Sequence, residues 1–119
     1  MIKSNDVSVL RIYASSTDKF EGKPLYEIIV YRAKEAGLSG TTVLRGVMGY
    51  GASSVVHSSK LWELTEKLPV IVEIVDDTEQ VNLFFESVKP LLEKSSKGFL
   101  VTRDKTDVLY QKSGLITGK

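Results

Sequence analysis

Two stretches with helical apolar spacing, set among four β-favouring runs, constrain this chain more than any other feature. The first begins at Pro24, which suits the first position of a helix because its missing N–H costs nothing there. Leu25, Ile28, Ile29, Ala33 and Ala36 then recur at helical spacing, and Gly37 is a natural stop. In the second, Asp77 and Gln80 resemble a capping box that opens the helix. Val81, Phe84, Phe85, Val88, Leu91 and Leu92 form its apolar stripe, and Pro90 within the stripe predicts a kink or a short second segment.

Strands are expected over residues 7–14, 40–51 and 68–75, the last with Pro69 near its beginning, and from Phe99 to Thr102. Val108, Leu109 and Tyr110 either continue the fourth strand or form a short one of their own. Residues 15–22 read as a polar connection and 94–98 as a turn. The order βαββαβ is that of a ferredoxin-like α+β sandwich, an antiparallel sheet with two helices on one face. At 119 residues it forms a single domain, with residues 1–6 and 113–119 as flexible tails. Strand one carries apolar residues on both sides, and strand three is apolar on both sides apart from Glu73. A sheet covered on one face alone should alternate, so association through the open face is expected.

Composition narrows the function classes. The formal net charge is +1, which argues against a nucleic-acid binder that depends on a basic surface. With no cysteine, disulfides, thiolate catalysis and cysteine-ligated zinc are excluded. Residues 1–6 lack the apolar core of a secretion signal, and no apolar run reaches the length of a membrane span. The expected location is cytoplasmic, without membrane insertion.

The second strand ends in Gly46, Gly49 and Gly51, three glycines within six residues, and a connection of sixteen residues follows from Ala52 to Lys67. Strand glycines mark bulges or close approach of a ligand or another backbone. Connections this long inside a compact domain are uncommon and usually functional. Two readings stand: a small molecule gripped by main chain, or relief of crowding where subunits meet. The spacing is not a dinucleotide fingerprint, because the glycines close a strand without opening a helix.

Further motifs carry a resemblance. Leu10-Arg11-Ile12-Tyr13, Gly22-Lys23-Pro24-Leu25-Tyr26, Thr42-Val43-Leu44-Arg45-Gly46, Met48-Gly49-Tyr50-Gly51, His57 and Leu68-Pro69 resemble the PII-like family long catalogued as a domain of unknown function. That family is related to the nitrogen-regulatory PII signalling proteins, and the likeness runs from about Val7 to Tyr110. The resemblance implies a non-catalytic homotrimer whose inter-subunit clefts hold an adenine nucleotide. It also implies that the 52–67 loop signals to a transporter, channel or enzyme. Carried over by residue, Thr42 lies near the cleft base, Gly46, Gly49, Tyr50 and Gly51 line it, and Ser53 opens the loop. Lys97 and Gly98 stand where PII proteins carry a second phosphate loop, here with one glycine and so fewer amides facing a phosphate chain. A monophosphate, diphosphate or cyclic nucleotide therefore fits as well as a triphosphate.

The remaining polar residues admit plainer readings. His57 is the single histidine, and a histidine–serine pair without an orienting carboxylate is weak as a nucleophilic site, so a solvated loop or a partner contact is favoured. Trp62 either packs the loop base or anchors a partner. Asp76 and Asp77 offset the dipole of the helix that follows them. Arg103 and Lys105 either meet phosphate across a subunit cleft or are solvated strand charges. The rival functions are a small ferredoxin-like enzyme using His57, a metal-tolerance trimer of similar fold, and a purely structural trimer. No metal ligand set and no resident cofactor beyond the nucleotide effector is expected.

Overall fold

A computed structural model describes residues 1–50, 57–58 (backbone only) and 68–114. In chain order the elements are β1 (Val7–Ser15), β2 (Lys19–Phe20), β3 (Lys23–Pro24), α1 (Leu25–Glu35), β4 (Thr41–Arg45), β5 (Met48–Gly49), β6 (His57–Ser58), β7 (Pro69–Asp77), α2 (Thr78–Lys94) and β8 (Leu100–Thr106). The four long strands lie in the order β4-β7-β1-β8, and every neighbouring pair is antiparallel. That is the ferredoxin-like order, with the first and third long strands in the centre.

The helix-facing side of the sheet is the core. Leu10 and Ile12 of β1 stand opposite Ile74 and Val72 of β7. They cluster with Leu25, Ile29 and Ala33 of α1 and with Val81, Phe84, Val88, Leu91 and Leu92 of α2, all buried. Both apolar stripes therefore land on one face, as their spacing requires. Helix α1 ends at Ala36; Gly37 adopts φ +80°, and its N–H donates to the Lys34 carbonyl while that of Leu38 donates to Ala33. Such a left-handed residue after the last turn costs glycine least.

Several local expectations are revised. The polar connection 15–22 contains half of a small hairpin, β2 paired with β3, turning through Glu21 (φ 52°) and Gly22 (φ 83°). Two positive-φ residues in a two-residue loop match the twist of paired strands. Pro24 caps α1 from outside instead of occupying its first turn. Asp77 stands at the N-cap of α2, yet its carboxylate makes no cap bond. It accepts instead the N–H groups of Lys3 and Ser4, at 3.0 and 2.9 Å. Helix α2 runs unbroken through Pro90, with the proline on the solvent side. Strand β8 ends at Thr106, and residues 107–114 have no regular structure.

The opposite face is divided. At one end Val7 and Val9 are buried although they point away from the helices. There Ile2, Val108 and Tyr110 share a cavity with Val75, so the chain's own terminal segments cover this end. Residues 1–6, expected as a tail, are bonded to the body. The Thr78 N–H donates to the Asp6 carbonyl and its hydroxyl to the Asp6 carboxylate, which also pairs with Lys105. Across the middle, Arg11 bridges Glu73 (2.9 Å) and Asp104 (3.2 Å). At the far end Leu44, Ile71, Tyr13 and Leu100 stand in one row across all four strands. Leu44 and Leu100 there are 46% and 59% exposed.

Candidate functional site

Strand β4 ends at Arg45; Gly46 adds one more bond in the same register, its N–H donating to the Pro69 carbonyl at 2.7 Å, but Pro69 has no N–H to return and the pairing goes no further. The single strand expected over 40–51 is thus two pieces. The second, Met48–Gly49, pairs with His57–Ser58 in a separate two-stranded ribbon. Two glycines here have a packing reason. A Cβ on Gly46 would lie 2.8 Å from Pro69 Cγ, and one on Gly49 would lie 3.2 Å from the same atom. The close approach expected of strand glycines is therefore made by Pro69 within the chain. Val47, Met48 and Tyr50 beside them are exposed.

Thr42 lies on the open face, opposite Glu73, and lines a cavity of about 380 Å³. Thr41, Gly40 and Val75 form one wall of that cavity. The other is made by Val108, Tyr110 and Gln111, with the Gln111 side-chain oxygen accepting the Ile2 N–H at 3.1 Å. The cavity offers an apolar wall, Thr42 on the open face and Glu73, whose carboxylate is held by Arg11, a mixture of apolar surface and a few polar groups typical of small-molecule sites. Asp76 beneath it is buried and accepts the N–H groups of Ser39 (2.7 Å) and Asp77 (2.6 Å). The bond from Ser39 fixes the chain where it enters β4. The cavity depends on terminal segments far away in sequence, and sequence reading assigned them no part in it.

The other expected residues do not converge on Thr42 within one chain. Lys97 and Gly98 lead into β8, which begins beside Tyr13, at the same sheet end as Gly46 but on the opposite edge. Three strand spacings, about 14 Å, separate those edges. Arg103 stands on the helix-facing side, opposite Leu10, and its Nη1 donates to Asn82 Oδ1 at 2.6 Å. Gly51, Ser53 and Trp62 lie outside the described residues, as does the His57 side chain. Among the described residues there is no group of three or more metal-ligating side chains, and no helix is long and apolar enough to cross a membrane.

Known structures match this architecture. A nitrogen regulatory PII-like protein from Thiomonas intermedia, bound to ADP, AMP and bicarbonate, superposes with a TM-score of 0.61 at 18% identity, covering 91% of this chain and 94% of its own. A PII-like signaling protein from Thermus thermophilus gives 0.63 at 14% identity, covering 87% and 89%. The fold is that of the PII-like proteins. Residues 7–108 match the DUF190 family, described as an uncharacterized ACR. A UPF0166 protein of Aquifex aeolicus is 40% identical over 102 residues, 86% of this chain and 92% of its own. Another, from Methanocaldococcus jannaschii, is 42% identical over 82 residues, 69% and 72% of the two chains. The chain belongs to the DUF190 family.

Proposed function

We propose that this protein is a non-catalytic PII-like regulator. Three copies assemble, and each cleft between neighbours takes a small anionic effector, an adenine nucleotide. The observation that carries this reading is the placement of the two turns. The glycine turn after β4 and the Lys97–Gly98 turn before β8 share one end of the sheet but occupy opposite edges. A neighbouring copy brings one edge against the other, and the resulting cleft joins main-chain amides to a lysine.

The cavity at Thr42 supplies a seat for the base, because it combines an apolar wall with hydrogen-bonding groups. From there β4 leads toward Gly46 and Gly49, so the phosphates extend along the strand toward Tyr50, Gly51 and Ser53. The nucleotides held by the Thiomonas protein support this effector class. Arg103 contributes only if it leaves Asn82. The segment 52–67, with His57 and Trp62, then transmits occupancy to a partner protein such as a transporter, channel or enzyme. Transmission requires that the nucleotide interact differently with two states of that segment.

Isothermal titration with AMP, ADP, ATP and cyclic AMP, alongside mass measurement in solution, tests the proposal. A trimer that binds at least one of them at one site per chain is expected. A trimer silent toward all four removes the effector class. Hydrogen exchange over 52–67 with and without the bound nucleotide tests transmission, and identical exchange rejects it.

A further inference from the structure

The outer wall of the Thr42 cavity is made by the two ends of the chain, and it is fastened differently from the inner wall. Thr42, Glu73 and Val75 stand in paired strands. Val108, Tyr110 and Gln111 belong to a segment without regular structure, which leaves β8 at Thr106 and crosses the open face to reach them. Among the described residues, the hydrogen bonds of that segment go to the other chain end alone. Gln111 Oε1 accepts the Ile2 N–H at 3.1 Å, and the Ser113 hydroxyl donates to Met1 Sδ at 3.1 Å.

The N-terminal end is rooted in the body. Asp77 accepts the N–H groups of Lys3 and Ser4, and the Asp6 carboxylate is tied to Thr78 and Lys105. The Thr78 hydroxyl in turn meets that of Ser8, which is buried, at 2.6 Å. Met1 and Ile2 therefore project from a fixed base and hold the C-terminal segment in place. We propose that the chain ends form a lid over the base of a bound nucleotide, latched by Gln111 on Ile2 and closed by the Tyr110 ring. The lid rests on the nucleotide reading above and gives that site its means of retaining a ligand.

A segment held by so few bonds opens at a small fraction of the cost of global unfolding. One wall of the cavity is thus rigid and the other hinged, with the hinge just after Thr106. Extended chain alternates its side chains. Val108 and Tyr110 line the cavity, and Leu109 between them is 94% exposed. Tyr110 is itself 77% exposed, so most of its ring lacks a partner in the chain. An aromatic surface left in water at a cavity mouth gains most from a flat ring laid against it. A nucleobase offers such a ring, and Thr42 and Val75 back it on the inner side. Ligand and lid then close together: the base covers Tyr110, and that contact adds to the bonds that hold the wall.

ADP is titrated into isotope-labelled full-length protein, and its release rate is measured by stopped-flow displacement, since lids commonly set that rate. Binding should shift the amides of Ile2 and of residues 108–113 and slow their hydrogen exchange. Tyr110→Ala should weaken ADP about fivefold or more, as loss of one aromatic stack on a base does. Tyr110→Phe, which keeps the ring, should bind as the parent does. Gln111→Ala should speed release about threefold or more, because the latch bond is lost, with a smaller loss of affinity because entry is eased as well. Gln111→Glu keeps an acceptor and should restore slow release. Neither side chain belongs to the core, so the urea midpoint should stay unchanged in every variant, which a merely structural role would not allow. A parent protein that ignores ADP ends the nucleotide reading and the lid with it. ADP held equally by the parent and Tyr110→Ala, or released at one rate by the parent and Gln111→Ala, overturns the lid while the nucleotide reading stands.

Discussion

Gly46 is held without a side chain by the ring of Pro69. A methyl group at 2.8 Å from Pro69 Cγ has no flexible neighbour to yield, because a proline ring in a strand cannot rotate away. Gly46→Ala should therefore destabilise the fold by about 1–3 kcal/mol, the usual cost of overpacking. Gly49→Ala, with 3.2 Å available, should cost less. Urea unfolding of both variants checks the order, and equal midpoints with the parent protein would refute the contact. Two carboxylates act at the same scale. Hydrogen bonding to Lys105, then to Thr78, holds Asp6 below the ordinary carboxylate value. Burial pushes Asp77 upward, but the amides of Lys3 and Ser4 and the Ser4 hydroxyl outweigh it and leave the group lowered. Groups depressed in the folded state stabilise it above the ordinary carboxylate range and lose that contribution as pH falls through their folded values. The N-terminal segment should accordingly hold at neutral pH and loosen below about pH 4. The amide shifts of Lys3 and Ser4 should titrate with a midpoint under that value, and Asp77→Asn should abolish the transition. A midpoint at or above it contradicts the bonding described.

At the scale of elements, α2 contains a proline that its neighbours tolerate. Pro90 removes one helical N–H and leaves the carbonyl four residues earlier without its usual donor. It is exposed, so no core contact depends on its ring. Pro90→Ala should restore the bond and raise stability by about 1–3 kcal/mol, somewhat less than the full penalty of an interior proline because the unfolded chain also gains freedom. A lower melting temperature in that variant would show that the ring has a packing function. Local preference disfavours a helix through proline, which is why the sequence alone predicts a break here. Burial of Val88, Leu91 and Leu92 on either side overrides that preference. The four long strands and both helices were legible because periodicity survives over seven or more residues or is bounded by glycine. The β2–β3 hairpin was not, because two-residue strands have no period and Glu21-Gly22 is a poorer turn signal than Asn-Gly. Asp77 was misassigned for another reason: its hydrogen-bond partners lie more than seventy positions away. Local spacing makes it a cap, and the fold offers it better donors. The candidate site divides in the same way. The glycine turn announced itself in sequence, whereas the cavity beside Thr42 joins residues 2, 39–42, 73, 75, 108, 110 and 111, which no local pattern connects.

The whole molecule is best understood through the face its helices leave bare. Its own termini cover one end, and the Arg11–Glu73–Asp104 bridge spans the middle, leaving the row Leu44, Ile71, Tyr13 and Leu100 open to solvent. Exposed rows of this kind mark association surfaces. The row also lies at the sheet end where the two candidate phosphate-facing turns occupy opposite edges. In the proposed assembly, burying the row against neighbours and completing the cleft are one event, so breaking assembly should abolish binding as well. Charged residues at the two most exposed positions of the row, in the variant Leu44→Asp/Leu100→Asp, should stop assembly because burying an unpaired carboxylate costs several kcal/mol. The parent protein should behave in solution as about 40 kDa, three times the 13.2 kDa of one chain. The double variant should behave as a folded single chain, since neither side chain belongs to the core. Its nucleotide affinity should fall by more than about tenfold, because in the proposed assembly one chain supplies only half of each cleft. A variant that remains monomeric yet binds nucleotide with full strength would place the whole site inside one subunit, contrary to the separation of the two turns across the sheet.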